Sequence, residues 1–420
     1  MEMIVVEQSG PLNGTIRVNG AKNSALPILA ASLLGTEDIV LEDVPDLKDV
    51  EIMCQVLESL GSEVEKLGKN TIRINSKNVK NHVTPYELMS KMRASLLVMG
   101  PLLARLGKTV NSLPGGCAIG NRPIDLHLKG FKALGAEISN EHGNITATAD
   151  KLVGSRIYLD FPSVGATENI MMAAVLSEGE TIIDNAAMEP EITDLQNFLN
   201  KLGGNIKGAG TSTIRITGVE KLTGTEHRII PDRIEAGTFL VAAAITGGDV
   251  IVDNIITSHI KPVIAKLREA GVEIIENGET VRVIGNKELK AIDVKTLPYP
   301  GFPTDMQAQF MAMTTLSKGT SVIIETVFEN RFKHVDELNR MGADIKIDGK
   351  SAIIRGVDGL TGARVTASDL RAGAALILAG LVAEGRTEIV DIYHIDRGYE
   401  NIEERLSAIG AKIKRETIED

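Results

Sequence analysis

Six times along the chain an apolar residue is followed by Gly, a small residue, a polar residue and an aliphatic one. The copies are LGSEV with its glycine at 61, LGAEI at 135, LGGNI at 203, AGVEI at 271, MGADI at 342 and IGAKI at 410. They stand 74, 68, 68, 71 and 68 residues apart. A second marker keeps step: Gly35, Gly107, Gly179, Gly248, Gly319 and Gly385 each precede a β-rich run such as ETIIDN or TSVIIET. Self-similarity at a near-fixed period means one supersecondary unit repeated, each copy burying its apolar face against its neighbours.

Each unit parses the same way. A strand such as TIRVNG or SRIYLDF leads into an Ala- and Leu-rich helix such as SALPILAASLL, which stops at a glycine. A second strand, a loop and a second helix follow. In the first copy Val50, Met53, Leu57 and Leu60 share one face of that helix, and Gly61 ends it. A hairpin closes the unit, with Asn277-Gly278 and Asp348-Gly349 as turn signals. This is an α/β fold of six βαβαββ-type units.

A chain of 420 residues exceeds one ordinary core, so the units divide between domains. The sixth copy ends at IGAKIKRETIED without a partner for its last strand, while MIVVEQSG and TIRVNG have no preceding unit. The simplest closure pairs these N-terminal strands with the sixth copy. Residues 1–20 and 230–420 then form one domain from copies four to six. Residues 21–229 form the other from copies one to three.

Composition removes several classes of function. The net charge of -11 opposes non-specific nucleic-acid binding. Two cysteines, Cys54 and Cys117, make no disulfide framework, and with scattered histidines they match no zinc pattern. The N-terminus has no basic region followed by an apolar run, and the most apolar stretch, residues 95–106, is too short to span a bilayer. A cytoplasmic enzyme is the expectation.

In every unit the first strand feeds the first helix through a short turn. At these turns stand Lys22 and Asn23, then Arg93, then Ser163-Val164-Gly165, then Asp232 and Arg233, then Asp305, then Asp369 and Arg371. Helix N-termini carry unpaired N–H groups and partial positive charge, so domains facing each other with these ends inward would form an anion-attracting cleft. Asp232, Asp305 and Asp369 read equally as helix caps. Lys22 and Arg93 do not, because a cation at a helix start opposes the dipole and calls for an anion beside it.

Cys117 lies in SLPGGCAIGNRPIDLHLKG, where Pro114, Gly115, Gly116 and Gly120 make a loop across residues 111–123. Glycine neighbours and the nearby Arg122 fit a reactive thiol better than a packed one, whereas Cys54, mid-helix in IMCQVLESLG, fits packing. Arg331 and Arg397 read as solvated or structurally paired arginines, and His127 and His394 as substrate contacts or structural histidines. Glu189 and Glu191 draw no role from their spacing.

Taken together, GAKNSALP, SLPGGCAIGNRPIDLHLKG, PSVGATEN, NAAMEPEITD, FPTDMQAQF, ETVFENRF, DLRAG and HIDRGYENIEERL closely resemble the UDP-N-acetylglucosamine 1-carboxyvinyltransferases, the MurA-type enolpyruvyl transferases. The match runs the full length, in order. The resemblance implies an inside-out α/β barrel of two three-repeat domains. It implies transfer of the enolpyruvyl group of phosphoenolpyruvate to the 3-hydroxyl of UDP-N-acetylglucosamine, with no metal or organic cofactor. Cys117 would be the acid that protonates C3 of phosphoenolpyruvate, and the thiol that fosfomycin alkylates in the family. Asp305 would accept the sugar hydroxyl proton. Lys22, Asn23, Arg122 and Arg397 would hold phosphoenolpyruvate. Arg93, the run Arg122, Pro123, Ile124, Asp125 and Leu126, then Ser163, Val164, Gly165, Asp305 and Val327 would contact the sugar nucleotide.

Two other readings stand beside it. A shikimate-pathway enolpyruvyl transferase would share the fold but not the Cys117 loop. A repeat ring such as a DNA sliding clamp would spread basic residues over equivalent helices, whereas the unlike residues here gather at helix starts.

Overall fold

The computed structural model of the protein describes residues 2–112, 124–286 and 288–417, the side chain of Arg93 excepted. The chain forms two compact units. Residues 2–19 and the described residues beyond 230 make the terminal unit; the described residues from 20 to 230 make the middle unit.

Among the described residues there are five four-stranded sheets and one three-stranded sheet, all on one plan. In the fourth copy the edge strand Asn13–Arg17 runs parallel to Asp249–Asp253, with Val250 opposite Gly14. Asp249–Asp253 pairs antiparallel with Thr280–Ile284, which pairs antiparallel with Glu273–Asn277. The hairpin loop is Gly278-Glu279, one residue beyond the Asn277-Gly278 signal, and Gly278 supplies its positive φ of 61°. The second copy has three strands, and a single parallel bridge from Val83 to Val110 replaces the edge strand.

The two ends of the chain complete this plan in different ways. Glu2–Glu7 lies between Arg386–Val390 and Lys412–Thr417, antiparallel to both, in the place that Thr280–Ile284 takes in the fourth sheet. The expectation that both N-terminal strands join the sixth copy fails for the second of them. Asn13–Arg17 joins the fourth copy, and Thr225–Arg228, which precedes the fourth copy's helix, joins the first copy beside Asp38–Glu42. The reason is where the chain passes between units: between an edge strand and the helix that it feeds. The Asp232 N–H donates to the Asn19 carbonyl at 2.8 Å in the terminal unit, and the Ala21 N–H donates to the Ile230 carbonyl at 2.7 Å in the middle unit.

Burial separates two kinds of helix. Lys22–Ala31, Val164–Ala174, Arg233–Thr246, Gln307–Thr314 and Leu370–Val382 are covered on nearly every side. A helix apolar all round belongs inside a core. The second helices are amphipathic: Lys48–Leu60 buries Val50, Met53, Leu57 and Leu60 and exposes Glu51 and Gln55. Central helices with sheets around them give the inside-out α/β barrel. Each unit has one apolar core of Leu, Ile, Val, Ala and Met with few aromatics.

The repeated glycine now has a cause. Gly61, Gly135, Gly203, Gly271, Gly342 and Gly410 all have φ between 91° and 110°, each just beyond the end of a second helix. An L-residue pays in steric strain there, so glycine marks the helix stop six times over. Among the described residues no helix is long and apolar enough to cross a membrane.

Candidate active site

In the terminal unit, Asp305 is the centre of a charged cluster. It sits in the 3-10 turn Thr304–Met306 that begins the helix Gln307–Thr314. The N-cap positions there are Pro303 and Met306, so Asp305 is not the cap that its place in the sequence suggested. Its Oδ2 accepts from Arg371 Nη2 at 3.0 Å and Nε at 3.3 Å, and its Oδ1 lies 2.7 Å from Arg331 Nη2. Arg371 is only 2% exposed, in the first turn of an otherwise apolar helix. Burial pulls its guanidinium down, but Tyr399, Asp305 and Asp232 more than offset this and hold it above the ordinary arginine range. Its Nη1 also donates to the Tyr399 hydroxyl at 3.2 Å, which lies 2.9 Å from Thr238 Oγ1. Arg331 donates to Thr304 Oγ1 at 2.8 Å and stacks over Phe328.

Val327 belongs to the same neighbourhood. Its amide and that of Phe328 donate to Oε1 of buried Glu325, at 2.8 and 3.1 Å, while Thr304 donates to Oε2. Arg397 follows the short helix Tyr393–Asp396 and is half-buried, as is His394. Asp232 and Asp369 are caps: each Oδ1 accepts two amide hydrogens from the first turn of its helix.

In the middle unit, Lys22 is the first residue of Lys22–Ala31 and 7% exposed. Its Nζ lies 2.7 Å from Asp49 Oδ2, in the first turn of Lys48–Leu60. Asp49 thus supplies one anion beside a cation that the helix dipole disfavours. Asn23 is half-buried next to it. Ser163 caps the helix Val164–Ala174, its Oγ accepting from the Ala166 N–H at 3.3 Å. Ile124 precedes the helix Asp125–Ala133, which carries Leu126 and His127. A Cβ on Gly165 would stand 3.3 Å from the His127 ring. His127 Nδ1 lies 3.0 Å from Nδ2 of buried Asn169, whose Oδ1 accepts from the Gly100 N–H at 2.7 Å. The start of the Val164 helix and the residues from Ile124 to His127 are therefore built as one surface.

Three sequence-derived candidates, Cys117, Arg122 and Pro123, lie outside the described residues, as does the side chain of Arg93. Cys54 behaves as its packing role requires: it is half-buried, and burial, with Glu58, pushes its thiol up to about 12. Sequence reasoning did not find Arg331 and Arg371 as the partners of Asp305; for Arg331 it left open a solvated or a structurally paired arginine, and the structure shows the paired one. An arginine at the start of LRAGAALILAGLV was the available signal, since a charge in so apolar a helix needs a partner. Glu168 was missed altogether. Burial, then Glu191 and Glu189, raise its carboxyl well above the ordinary range.

The fold is that of the enolpyruvyl transferases. The family model of EPSP synthase (3-phosphoshikimate 1-carboxyvinyltransferase) matches residues 6–406. The enolpyruvyl transferase NikO from Streptomyces tendae superposes with a TM-score of 0.89 at 22% identity, covering 100% of this chain and 99% of its own. EPSP synthase from Acinetobacter baumannii gives 0.78 at 20% identity over 99% of this chain and 100% of its own. At these identities the structures establish the fold alone. Sequence relatives go further. The UDP-N-acetylglucosamine 1-carboxyvinyltransferase 1 of Caldanaerobacter subterraneus subsp. tengcongensis is 65% identical over 98% of this chain and 99% of its own. The UDP-N-acetylglucosamine 1-carboxyvinyltransferase of Finegoldia magna is 65% identical over 100% of both. The chain belongs to the UDP-N-acetylglucosamine 1-carboxyvinyltransferase family.

Proposed function

We propose that this enzyme transfers the enolpyruvyl group of phosphoenolpyruvate to the 3-hydroxyl of UDP-N-acetylglucosamine, releasing phosphate, in the cytoplasmic synthesis of peptidoglycan precursors. The observation that carries this reading is full-length identity of 65% to curated enzymes of that name. The Asp305 cluster agrees with it. A carboxylate gripped through both oxygens by two guanidinium groups is fixed in direction, as a group that must meet one hydroxyl proton has to be.

The chemistry needs an acid and a base. The enol ether carbon becomes electrophilic only when C3 of phosphoenolpyruvate gains a proton, and Cys117 is the donor in this reading. The sugar oxygen then bonds to C2 while Asp305 takes its proton. In the second half C3 gives a proton back, the C2–O bond to phosphate breaks, and the double bond re-forms. Lys22, Asn23, Arg122 and Arg397 hold phosphoenolpyruvate and stabilise the departing phosphate. Arg93, Arg122–Leu126, Ser163, Val164, Gly165 and Val327 take the sugar nucleotide, with Asp305 at its 3-hydroxyl. Mass spectrometry of the sugar nucleotide after incubation with phosphoenolpyruvate tests this. Addition of one enolpyruvyl unit to the sugar is expected; recovery of unchanged UDP-N-acetylglucosamine with active enzyme would overturn it.

A further inference from the structure

The motif NAAMEPEITD ends in Asp194, to which the reaction as described gives nothing to do. Asp194 lies on the helix Pro190–Lys201, 3% exposed, and gathers three donors from two other parts of the middle unit. Its Oδ2 accepts from Ser24 Oγ at 2.5 Å and from the Ile230 N–H at 3.3 Å. Its Oδ1 lies 2.9 Å from His227 Nε2. His227 is on the strand Thr225–Arg228, packs edge-on against Phe198 and is 5% exposed.

The order Ser–Asp–His is wrong for a nucleophilic triad, in which the histidine must stand between the other two. Ser24 is also fully buried, so no substrate reaches it. What the three donors share is their place in the chain. Ser24 is in the first turn of Lys22–Ala31, two residues after Lys22 and one after Asn23. Ile230 and His227 belong to the segment that runs alongside that helix start, where the Ile230 carbonyl takes the Ala21 N–H. Helix start and departing segment are thus fastened to one buried carboxylate. That carboxylate lies beside a helix N-terminus, where negative charge is favoured.

Resting on the function proposed above, we infer that Asp194 is a positioning residue for the transfer reaction. Through Ser24 and the Ile230 amide it sets the first helical turn so that Lys22 and Asn23 meet phosphoenolpyruvate. The sugar nucleotide, held by other residues, should not sense it.

Steady-state kinetics on the whole enzyme tests this with Ser24→Ala, Asp194→Asn and the double variant, alongside circular dichroism. Losing a hydrogen bond to a charged group, Ser24→Ala should raise KM for phosphoenolpyruvate about tenfold and leave that for UDP-N-acetylglucosamine within about twofold. Asp194→Asn should do at least as much, and the double variant no more than Asp194→Asn, because Ser24 acts through Asp194. A Ser24→Ala enzyme with both KM values unchanged, or with both raised alike, overturns the inference even if Asp194→Asn does not fold. Wild-type enzyme in the same assay separates the two failures. If it releases no phosphate, the proposed function falls; if it does and the variants match it, only the role of Asp194 falls.

Discussion

Asp305 and Cys117 illustrate how far a residue's type determines its work. A carboxylate can serve as base, cap or salt-bridge partner, and only its neighbours decide among them. For Asp305 those neighbours are two guanidinium groups, from Arg331 and Arg371. For Cys117 the proposed role is acid, so its replacements should rank by acidity and not by size. A serine hydroxyl is far too weak an acid to protonate carbon at neutral pH, and Cys117→Ser should be close to inactive. An aspartate, ordinarily near ~3.9, rises beside an anionic substrate and retains a protonated fraction. Cys117→Asp should therefore turn over measurably, with its pH optimum shifted to acid, and should resist alkylation by fosfomycin. Turnover and inactivation followed across pH check both variants, and a fully active Cys117→Ser would remove the acid role.

Glu168 gives a second prediction at this scale. Burial, then Glu191 and Glu189, push its carboxyl well above the ordinary range in the fold, while in the unfolded chain it ionises near the ordinary glutamate value of about 4.3. Above that pH the unfolded chain has lost a proton that the folded one keeps. Stability therefore falls as pH rises, by up to about 1.4 kcal/mol per pH unit, until the folded group ionises too. Glu168→Gln is neutral at every pH and lacks this loss. Its melting temperature should exceed that of the wild type by a margin that widens from pH 5 upwards. A constant difference across that range would contradict the assignment.

At the scale of elements, much was legible. The glycine of LGSEV and its five relatives announces where each second helix stops, because positive φ is a local demand that one residue type meets. The face of Lys48–Leu60 followed from its period. What could not be read was pairing set by distant parts of the chain. Nothing near TIRVNG tells that it lies beside Asp249–Asp253 and not beside the sixth copy, since its partner strand stands 236 residues further along the chain (249 − 13). The Asp305 cluster was hidden likewise: Arg331 and Arg371 are 26 and 66 residues away. Close helix packing supplies a prediction. A Cβ on Gly100 would stand 2.3 Å from the Asn169 carbonyl oxygen, a backbone atom that cannot rotate aside. Gly100→Ala should cost about 1–3 kcal/mol of stability. Because Asn169 also contacts His127, it should weaken sugar-nucleotide binding as well. Denaturant unfolding and KM for UDP-N-acetylglucosamine read these effects, and wild-type values for both would show that the contact relaxes freely.

For the whole molecule, a chain of net charge -11 is proposed to work on two anionic substrates. Much of that charge lies on exposed strands such as Glu273–Asn277 and Asp344–Asp348, while buried Lys22 is balanced by Asp49, and buried Arg331 and Arg371 share Asp305. Fold class and family were legible because they rest on period and motif, which any one sequence displays. The choice of acceptor is the central claim, and the family model and the close relatives carry different acceptors in their names. Phosphate release from phosphoenolpyruvate, measured with UDP-N-acetylglucosamine and separately with shikimate 3-phosphate, tests it most directly. Release with the sugar nucleotide and none with shikimate 3-phosphate is the expected result. Release with shikimate 3-phosphate instead would contradict the account.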